Sequence, residues 1–242
     1  MNNNYLTEIR IKKSQETKFP FSLDIFKNGF EIKLDKPITF ILGDNGTGKS
    51  TFLESLAYNM GFNILGGNKN HIYKNDEHFD NLKLAEKMQL VWKTKTTKGF
   101  FFRAESFFNF TDYIEKMAEE FGRDIFGAYG GKSLLKQSHG EAFLSLFNNK
   151  FTEGIFLLDE PEAALSAEKQ LALISLLLDL TKENKCQFII ATHSPLLIAV
   201  PNADIYEISD GQLEKKEYYE TKQFMLYKNF INAPERILNY LR

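Results

Sequence analysis

Cysteine is almost missing from this sequence. Cys186 stands alone among 242 residues, which excludes an intramolecular disulfide; beside the apolar run Phe188-Ile189-Ile190 it predicts a packed thiol in a reducing, cytoplasmic setting. Long hydrophobic runs are missing too. The longest, around Leu171 to Leu180, is interrupted by Ser175 and Asp179 and is too short to cross a bilayer. The start, Met1 to Lys13, lacks the apolar core of a secretion signal, so a soluble chain with no integral membrane segment is expected. Neither sign of charge is in excess. With 30 Lys and Arg against 32 Asp and Glu, the total points to neither a strongly basic nucleic-acid binder nor a polybasic membrane anchor, although it leaves room for a local patch. The four histidines, His71, His78, His139 and His193, show no zinc spacing, and no internal repeat is visible. The length suits one large α/β domain, or one domain with a small annex, with ample core.

What is present is concentrated at Gly43-Asp44-Asn45-Gly46-Thr47-Gly48-Lys49-Ser50, which matches the phosphate-binding pattern G-x-x-x-x-G-K-[ST]. Pro37 to Leu42 has strand character. From Ser50 and Thr51 onward, Phe52, Leu53, Leu56, Ala57 and Met60 recur at helical spacing. A strand therefore feeds a glycine loop that opens a helix. Backbone N–H groups of such a loop converge with the free donors of the helix start, a geometry suited to a polyphosphate. Lys49 is placed to reach the β- and γ-phosphates, and the Ser50 hydroxyl to enter the shell of a Mg²⁺. The plain alternative is a glycine-rich turn without a ligand.

Before the loop, Tyr5 to Ile11, Phe21 to Phe26 and Phe30 to Leu34 alternate as strands, with Lys27-Asn28-Gly29 as a hairpin turn, predicting an antiparallel layer. Phe26 or Phe30 can pack in the core or stack on a purine ring. After the first helix, Gly66 to Asp80 is polar and reads as a surface loop. Glu86 to Thr94 and Gly99 to Arg103 read as a hairpin turning near Thr96-Thr97-Lys98. Phe100, Phe101, Phe102, Phe107, Phe108 and Phe110 read as core from a strand and a following helix. Thr111 to Phe121 is helical in spacing, and Gly127 to Gly131 reads as a flexible joint. Glu168 to Lys182 predicts a long, mostly buried helix. Asp204 to Glu217 predicts a closing hairpin around Asp210-Gly211. Phe224 to Arg242 is helical, broken near Pro234, with apolar residues expected to dock on the body.

Three further stations carry chemistry. Ser138 and Glu141 have the spacing of a capping box, and the same helix start, with a bare Gly140, fits a second anion site. Ile155 to Leu158 is an apolar run that delivers Asp159 and Glu160 at a strand end. Asp159 suits Mg²⁺, and Glu160 suits a general base that polarises an attacking water; two acids before Pro161 also fit plain turn chemistry. His193 ends another buried strand, Gln187 to Thr192, on the edge where the phosphates are expected, and fits either a γ-phosphate contact or a structural histidine.

In this order the stations resemble the ABC-type ATPases: Walker A at Gly43 to Ser50, signature at Ser138 to Glu141, Walker B at Ile155 to Glu160 and switch histidine at His193. The intervals fit as well, with 21 residues from Ser138 to Asp159 and 33 from Glu160 to His193. Glu162 to Ser166 occupies the place of the D-loop. In closer detail the chain is similar to compact stand-alone bacterial ATPases carrying GFFFRAESFF, QSHGEAF and DEPEAALS, with Asn232 to Arg236 near the end. The resemblance implies a P-loop NTPase fold: a mostly parallel core sheet, an N-terminal antiparallel β-layer and a helical insertion. The parts are a β-layer and P-loop core over 1–65, an insertion over about 66–150, and a Walker B part over 151–242, all in one ATPase domain. It also implies ATP and Mg²⁺ as ligands, and ATP-driven head-to-tail dimerisation in which one chain's P-loop meets the other's Ser138, Gly140 and Glu141. The motor would serve an unidentified partner protein in a nucleic-acid-related or defence process, with DNA as a further possible partner. Two departures stand out: Ser-His-Gly-Glu replaces the usual Ser-Gly-Gly-Gln of transporters, and no Q-loop glutamine is obvious. Gln89 precedes a predicted hairpin, and Glu105 is a stand-in. The interval between Walker A and signature is too short for a long coiled coil and lacks heptads. The alternatives are a transporter's nucleotide-binding subunit and, against the pairing of Asp159 with Glu160, a small-molecule kinase.

Overall fold

Runs of consecutive apolar residues make strands that can be buried on both faces, and such runs form the centre of the fold. The computed structural model describes residues 4–64, 66–67, 79–182 and 185–241. In chain order the elements are β1 (Leu6–Ile11), α1 (Asp24–Asn28), β2 (Phe30–Lys33), β3 (Ile38–Gly43), α2 (Lys49–Asn59), α3 (Phe79–Lys87), β4 (Met88–Trp92) and β5 (Gly99–Arg103). There follow α4 (Phe107–Phe121), α5 (His139–Lys150), β6 (Gly154–Asp159), α6 (Ala167–Lys182), β7 (Cys186–Ala191), β8 (Ala203–Ser209), β9 (Gln212–Lys215), α7 (Lys222–Asn232) and α8 (Pro234–Tyr240).

The main sheet has the order β5-β6-β7-β3-β8-β9. Its first five strands run parallel, and β9 returns antiparallel through the turn at Asp210-Gly211. A second sheet, β2-β1-β4, is antiparallel throughout. The expected α/β class, parallel core and antiparallel layer are therefore present. Every residue of β3, β6 and β7 is buried, and strand alternation sorts their side chains between two cores. Phe40, Phe102, Phe156 and Phe188 join Phe143, Phe147 and Phe151 on one face; Ile41, Phe101, Leu157 and Ile189 join Phe52, Leu53 and the residues of the β-layer on the other. The Phe147, Phe151 and Phe156 rings follow one another at centroid distances of 3.9 and 4.2 Å. Burying each such side chain contributes about 1.5–3 kcal/mol.

Several sequence expectations give way here. Phe21 to Phe26 is not a strand. Asp24 to Asn28 forms the short helix α1, which buries Ile25 and Phe26, with Gly29 as its C-cap rather than as a hairpin turn, and Phe21 is buried just ahead of it. The antiparallel layer takes β4 as its third strand instead. The supposed hairpin of 86–103 is consequently split between two sheets: β4 is half exposed and pairs with β1, whereas Phe100 to Phe102 is buried on both faces and pairs with β6. Phe26 and Phe30 face each other and Phe52, so core packing is their role. Most of the polar stretch from Gly66 to Asp80 lies outside the described residues, as do His71 and His78; at its ends Gly67 exchanges hydrogen bonds with Phe101 and α3 begins at Phe79. Gly127 to Tyr129 belongs to a 3-10 turn whose Tyr129 is buried.

Two helices are less buried than expected. In α6 Leu173 and Leu177 are the residues that are fully buried, and Leu171 is exposed; its leucines spread around the helix while one stripe meets the sheet. The apolar residues of α7 and α8 do not dock on the body as a set: Leu226, Ile231 and Leu238 are 48–72% exposed, and α7 has no buried residue. The start of α7 is anchored through Thr221 as N-cap and a hydrogen bond from Lys222 N–H to the buried Glu207.

Candidate nucleotide site

The strand order β6-β7-β3 sets the C-terminal ends of three strands side by side. β3 ends in Gly43, β6 in Asp159, and β7 runs between them into Thr192 and His193. Backbone hydrogen bonds tie this edge together: Thr192 N–H donates to Ile41 O at 3.2 Å and Glu160 N–H to Ala191 O at 2.9 Å. Residues far apart in sequence are thus fixed at one edge by parallel pairing, the usual location of a ligand crevice in an open α/β sheet.

The loop from Gly43 opens α2 at Lys49, and Gly48 is the N-cap in a left-handed conformation, φ 101°. A Cβ there would sit 2.7 Å from the Phe26 ring, so glycine is required by both backbone and space. No side chain caps α2, and its first N–H groups point to the cleft mouth, where an anion is favoured. Lys49 is buried and bridges its own loop, its Nζ donating to Gly43 O at 2.8 Å and Asp44 O at 3.1 Å. Burial pulls its pKa down, against the opposing pull of Glu160, Asp159 and Asp44. A cavity of about 360 Å³ adjoins it, lined by Phe19, Leu23, Asn45, Gly46, Gly48, Lys49, Ser50, Thr51 and Glu160. Phe19 and Leu23 give this cavity an apolar wall; the sequence carries no signal for it, since Leu23 falls in the run expected as a strand and Phe19 in the segment before it.

Beside it, Ser50 Oγ donates to Asp159 Oδ1 at 3.2 Å. Asp159 is buried, and desolvation pushes its carboxyl up to about 6 in spite of Arg103 and the Ser50 hydrogen bond, which pull it down. Arg103, in register with Asp159 on β5, has its Nε 3.8 Å from Asp159 Oδ2, pairs with Glu54 of α2, and donates to Glu105 at 2.9 Å. Glu54 lies one helical turn beyond Ser50 and is itself buried. Neither Arg103 nor Glu54 was singled out in the sequence; the available signals were the end of the Phe100 to Phe102 run and the i, i+4 spacing from Ser50. A second cavity, about 480 Å³, is lined by Ser50, Arg103, Glu105, Phe107, Asp159, Glu160 and neighbouring alanines, so Ser50 and Glu160 are shared walls. Glu105 is thus at the cleft, whereas Gln89 sits in the β-layer opposite Arg10.

Glu160 stands just past the end of β6 with φ 49° and ψ 52°. A left-handed glutamate costs about 1–3 kcal/mol and marks a constrained position. It departs from the strand alternation expected of it, and the constraint directs its carboxylate toward His193, whose Nε2 is 3.5 Å away. His193 is held from behind, its N–H donating to Glu162 Oε1 at 2.5 Å.

Ser138, Gly140 and Glu141 are set apart from this group. Ser138 N–H donates to Glu141 Oε2 at 2.9 Å, the reach-back half of a capping box, and Ser138 Oγ donates to the same oxygen at 2.6 Å; these bonds hold the Glu141 carboxyl below its usual range. Lys169 of α6 donates to Ser138 Oγ at 3.0 Å, and its side chain lies against Gly140. None of these residues lines the two cavities.

The oxygen donors fit Mg²⁺. A serine hydroxyl and a carboxylate 3.2 Å apart at the mouth of a phosphate loop are hard ligands of the kind that hold this ion together with substrate phosphates. Among the described residues no group of three or more His, Cys, Asp or Glu stands ready for a metal held by protein alone.

A family model described as an AAA domain matches residues 22–223. The chain belongs to this AAA domain family. Solved structures agree in fold. One described as an inward-facing metal-chelate type ABC transporter is 15% identical, with a TM-score of 0.54, covering 94% of this chain and 88% of its own. The ADP conformation of an ATP-binding cassette of an ABC transporter is 17% identical, with a TM-score of 0.52 and coverage of 98% and 99%. An SmcHead bound to the C-winged helix domain of ScpA is 16% identical, with a TM-score of 0.52 and coverage of 88% and 98%. No curated protein matches the chain in sequence. This AAA domain is a P-loop ATPase, and its reaction is ATP hydrolysis; in fold it is like the ABC cassettes. Among the described residues no helix is long and apolar enough to cross a membrane.

Proposed function

We propose that the chain binds ATP-Mg²⁺ at the β3, β6 and β7 edge and hydrolyses it as a head-to-tail dimer, each ATP lying between one chain's P-loop and the other's Ser138 to Glu141. Residues 1–242 act as one ATPase domain. The P-loop residues Gly43 to Thr51 bind the phosphates, Lys49 placing its charge at the β- and γ-phosphates. Ser50 and Asp159 would hold Mg²⁺, whose charge would offset that developing on the transferred phosphoryl group. Glu160 takes the proton of the attacking water, and His193 beside it contacts the γ-phosphate. Ser138 and the α5 N-terminus supply donors and dipole from the second chain.

The observation that carries this reading is the separation of the two stations. The P-loop, Asp159 and Glu160 share one cleft, while Ser138, Gly140 and Glu141 line neither cavity of it. A second copy brings them together. The free energy of closure then serves a partner protein in a nucleic-acid-related or defence process inside the cell, where ATP is available.

The test is the solution mass of Glu160→Gln. With the base removed, hydrolysis should fall about 10²–10⁴-fold, and ATP-Mg²⁺ should convert monomer to dimer in light scattering. A monomer at saturating ATP-Mg²⁺ would reduce Ser138 to Glu141 to a plain helix cap. A parallel run with DNA reads the process: a DNA-dependent shift supports the nucleic-acid reading, and none removes DNA as a direct partner.

A further inference from the structure

Asp159 presents its two oxygens to different partners. Oδ1 accepts from Ser50 Oγ at 3.2 Å, and Oδ2 faces Arg103 Nε at 3.8 Å. That Nε is buried and has no hydrogen-bond partner among the described residues. The rest of the guanidinium is committed: Nη1 pairs with Glu54 and Nη2 with Glu105 Oε2 at 2.9 Å. Glu54 is fixed in its turn, being buried on α2 one turn past Ser50. Arg103 itself is fixed by β5, whose register places it directly opposite Asp159, and by Ala104 N–H, which donates to Asp159 O at 3.2 Å.

A closed path results: Ser50, α2, Glu54, Arg103, Asp159 and back to Ser50. Its two ends are the two side chains assigned to Mg²⁺. A planar guanidinium hydrogen-bonded to Glu54 and Glu105 through its two Nη atoms keeps its charged Nε edge turned to Asp159, an orientation that the point charge of a lysine does not fix. Groups behind the ligands of a metal govern its affinity in the same manner.

We propose that Arg103 is a positioning residue for the metal end of the nucleotide site, bracing the α2 turn that carries Ser50 against the β6 end that carries Asp159 through Glu54. This rests on the ATP-Mg²⁺ reading above. Arg103 touches neither the reacting phosphate nor the water; it acts through Ser50 and Asp159. Its effect therefore belongs to the metal-dependent part of nucleotide binding and not to the metal-free part, which the P-loop backbone and Lys49 supply.

The experiment titrates a fluorescent ATP analogue onto native chain, Arg103→Met, Arg103→Lys and Glu54→Gln, first in EDTA and then across Mg²⁺ concentrations, with kcat and KM measured alongside. For Arg103→Met, the Mg²⁺ needed for half-maximal binding should rise about 10–100-fold, with kcat falling in step and affinity in EDTA staying within about twofold. Arg103→Lys keeps the charge without the fork and should recover only part of the loss. Glu54→Gln, nearly isosteric, should weaken Mg²⁺ in the same direction even where Arg103→Met fails to fold. Equal losses with and without Mg²⁺ would make Arg103 a purely structural residue and overturn the proposal, as would an unchanged Mg²⁺ midpoint in Glu54→Gln. Failure of the native chain to bind ATP at all would remove the nucleotide reading and the proposal with it, a result plainly different from a variant-specific change.

Discussion

Helices α2 and α5 begin in opposite ways. The start of α2 is built inward: Lys49 is buried, Ser50 meets Asp159, and Glu54 one turn on meets Arg103. Its N-cap, Gly48, has no side chain to bond the first N–H groups. The start of α5 is built outward: Ser138 is exposed and bonded to Glu141 and Lys169, so that its polar groups are served by exposed neighbours. Burying polar groups is costly unless they are paired, and the chain bears that cost at α2 and not at α5. A site whose polar parts are buried is organised within one chain, whereas a surface cap is available to meet another.

The sharpest way to break this contrast is to disable the two starts separately and then mix the products. Lys49→Met should lose at least about 100-fold in hydrolysis, as removal of a charge-stabilising donor does, together with most of its ATP affinity. Ser138→Arg should bind ATP as the native chain does and yet turn over little. In a head-to-tail dimer of the two, one composite site joins the intact loop of the Ser138→Arg chain to the intact cap of the Lys49→Met chain. An equal mixture should therefore regain up to about a quarter of native activity, since half the dimers are mixed and one site in each is whole. Steady-state ATPase assays check this. If two inactive variants stay inactive on mixing, the two starts do not belong to one composite site.

A smaller effect separates the two regions by pH. The Asp159 carboxyl is raised to about 6 by burial, above an unfolded value of about 3.9. Between those values the folded chain holds more protons than the unfolded one, so stability falls as pH rises from about 4 through about 6. The benefit is complete below the unfolded value and gone above the folded one. Asp159→Asn removes the buried charge and should stabilise the metal-free protein by about 1–3 kcal/mol at pH 7.5. At pH 4 the gain should vanish. Urea unfolding at both pH values measures the difference; an equal effect at the two would mean that burial does not govern this carboxyl.

How far the sequence carried the structure follows the same division. The P-loop, the Asp159-Glu160 strand end and the strand leading to His193 were legible because each is a local pattern: a buried apolar run, then polar residues at the edge. The parallel sheet that aligns them followed from those runs. Long-range partners had no local signal. Nothing near Phe100 to Phe102 says that this strand pairs with β6 and not with β4, so its hairpin was misassigned and the Arg103 contact with Glu54 went unseen. Phe21 to Phe26 differs for another reason, since six residues are too few for periodicity to separate a short helical turn from a strand. In α7 apolar content was taken for burial, and its exposed Leu226 and Ile231 show that composition does not say which face meets the body.

The smallest effect comes from one substitution made at both starts. Gly48 has φ 101°, and an added Cβ would meet the Phe26 ring at 2.7 Å; Phe26 is wholly buried and cannot withdraw. Gly48→Ala should therefore cost roughly 1–3 kcal/mol from the left-handed backbone and the clash, and weaken ATP binding with it. Gly140 is within α5, where alanine is intrinsically favoured over glycine. Its added Cβ would meet Lys169 Cδ at 2.5 Å and Nζ at 2.9 Å, the outer part of a flexible side chain. Helix gain and displaced lysine roughly offset each other, so Gly140→Ala should change stability by less than about 0.5 kcal/mol. The lysine can leave only by giving up Ser138, so ATP-dependent dimer formation should weaken a few-fold while ATP binding by the single chain holds. Thermal melts, nucleotide titration and light scattering on the two variants separate these results. Loss of single-chain binding in Gly140→Ala would join α5 to the inner site and erase the contrast between the two helices.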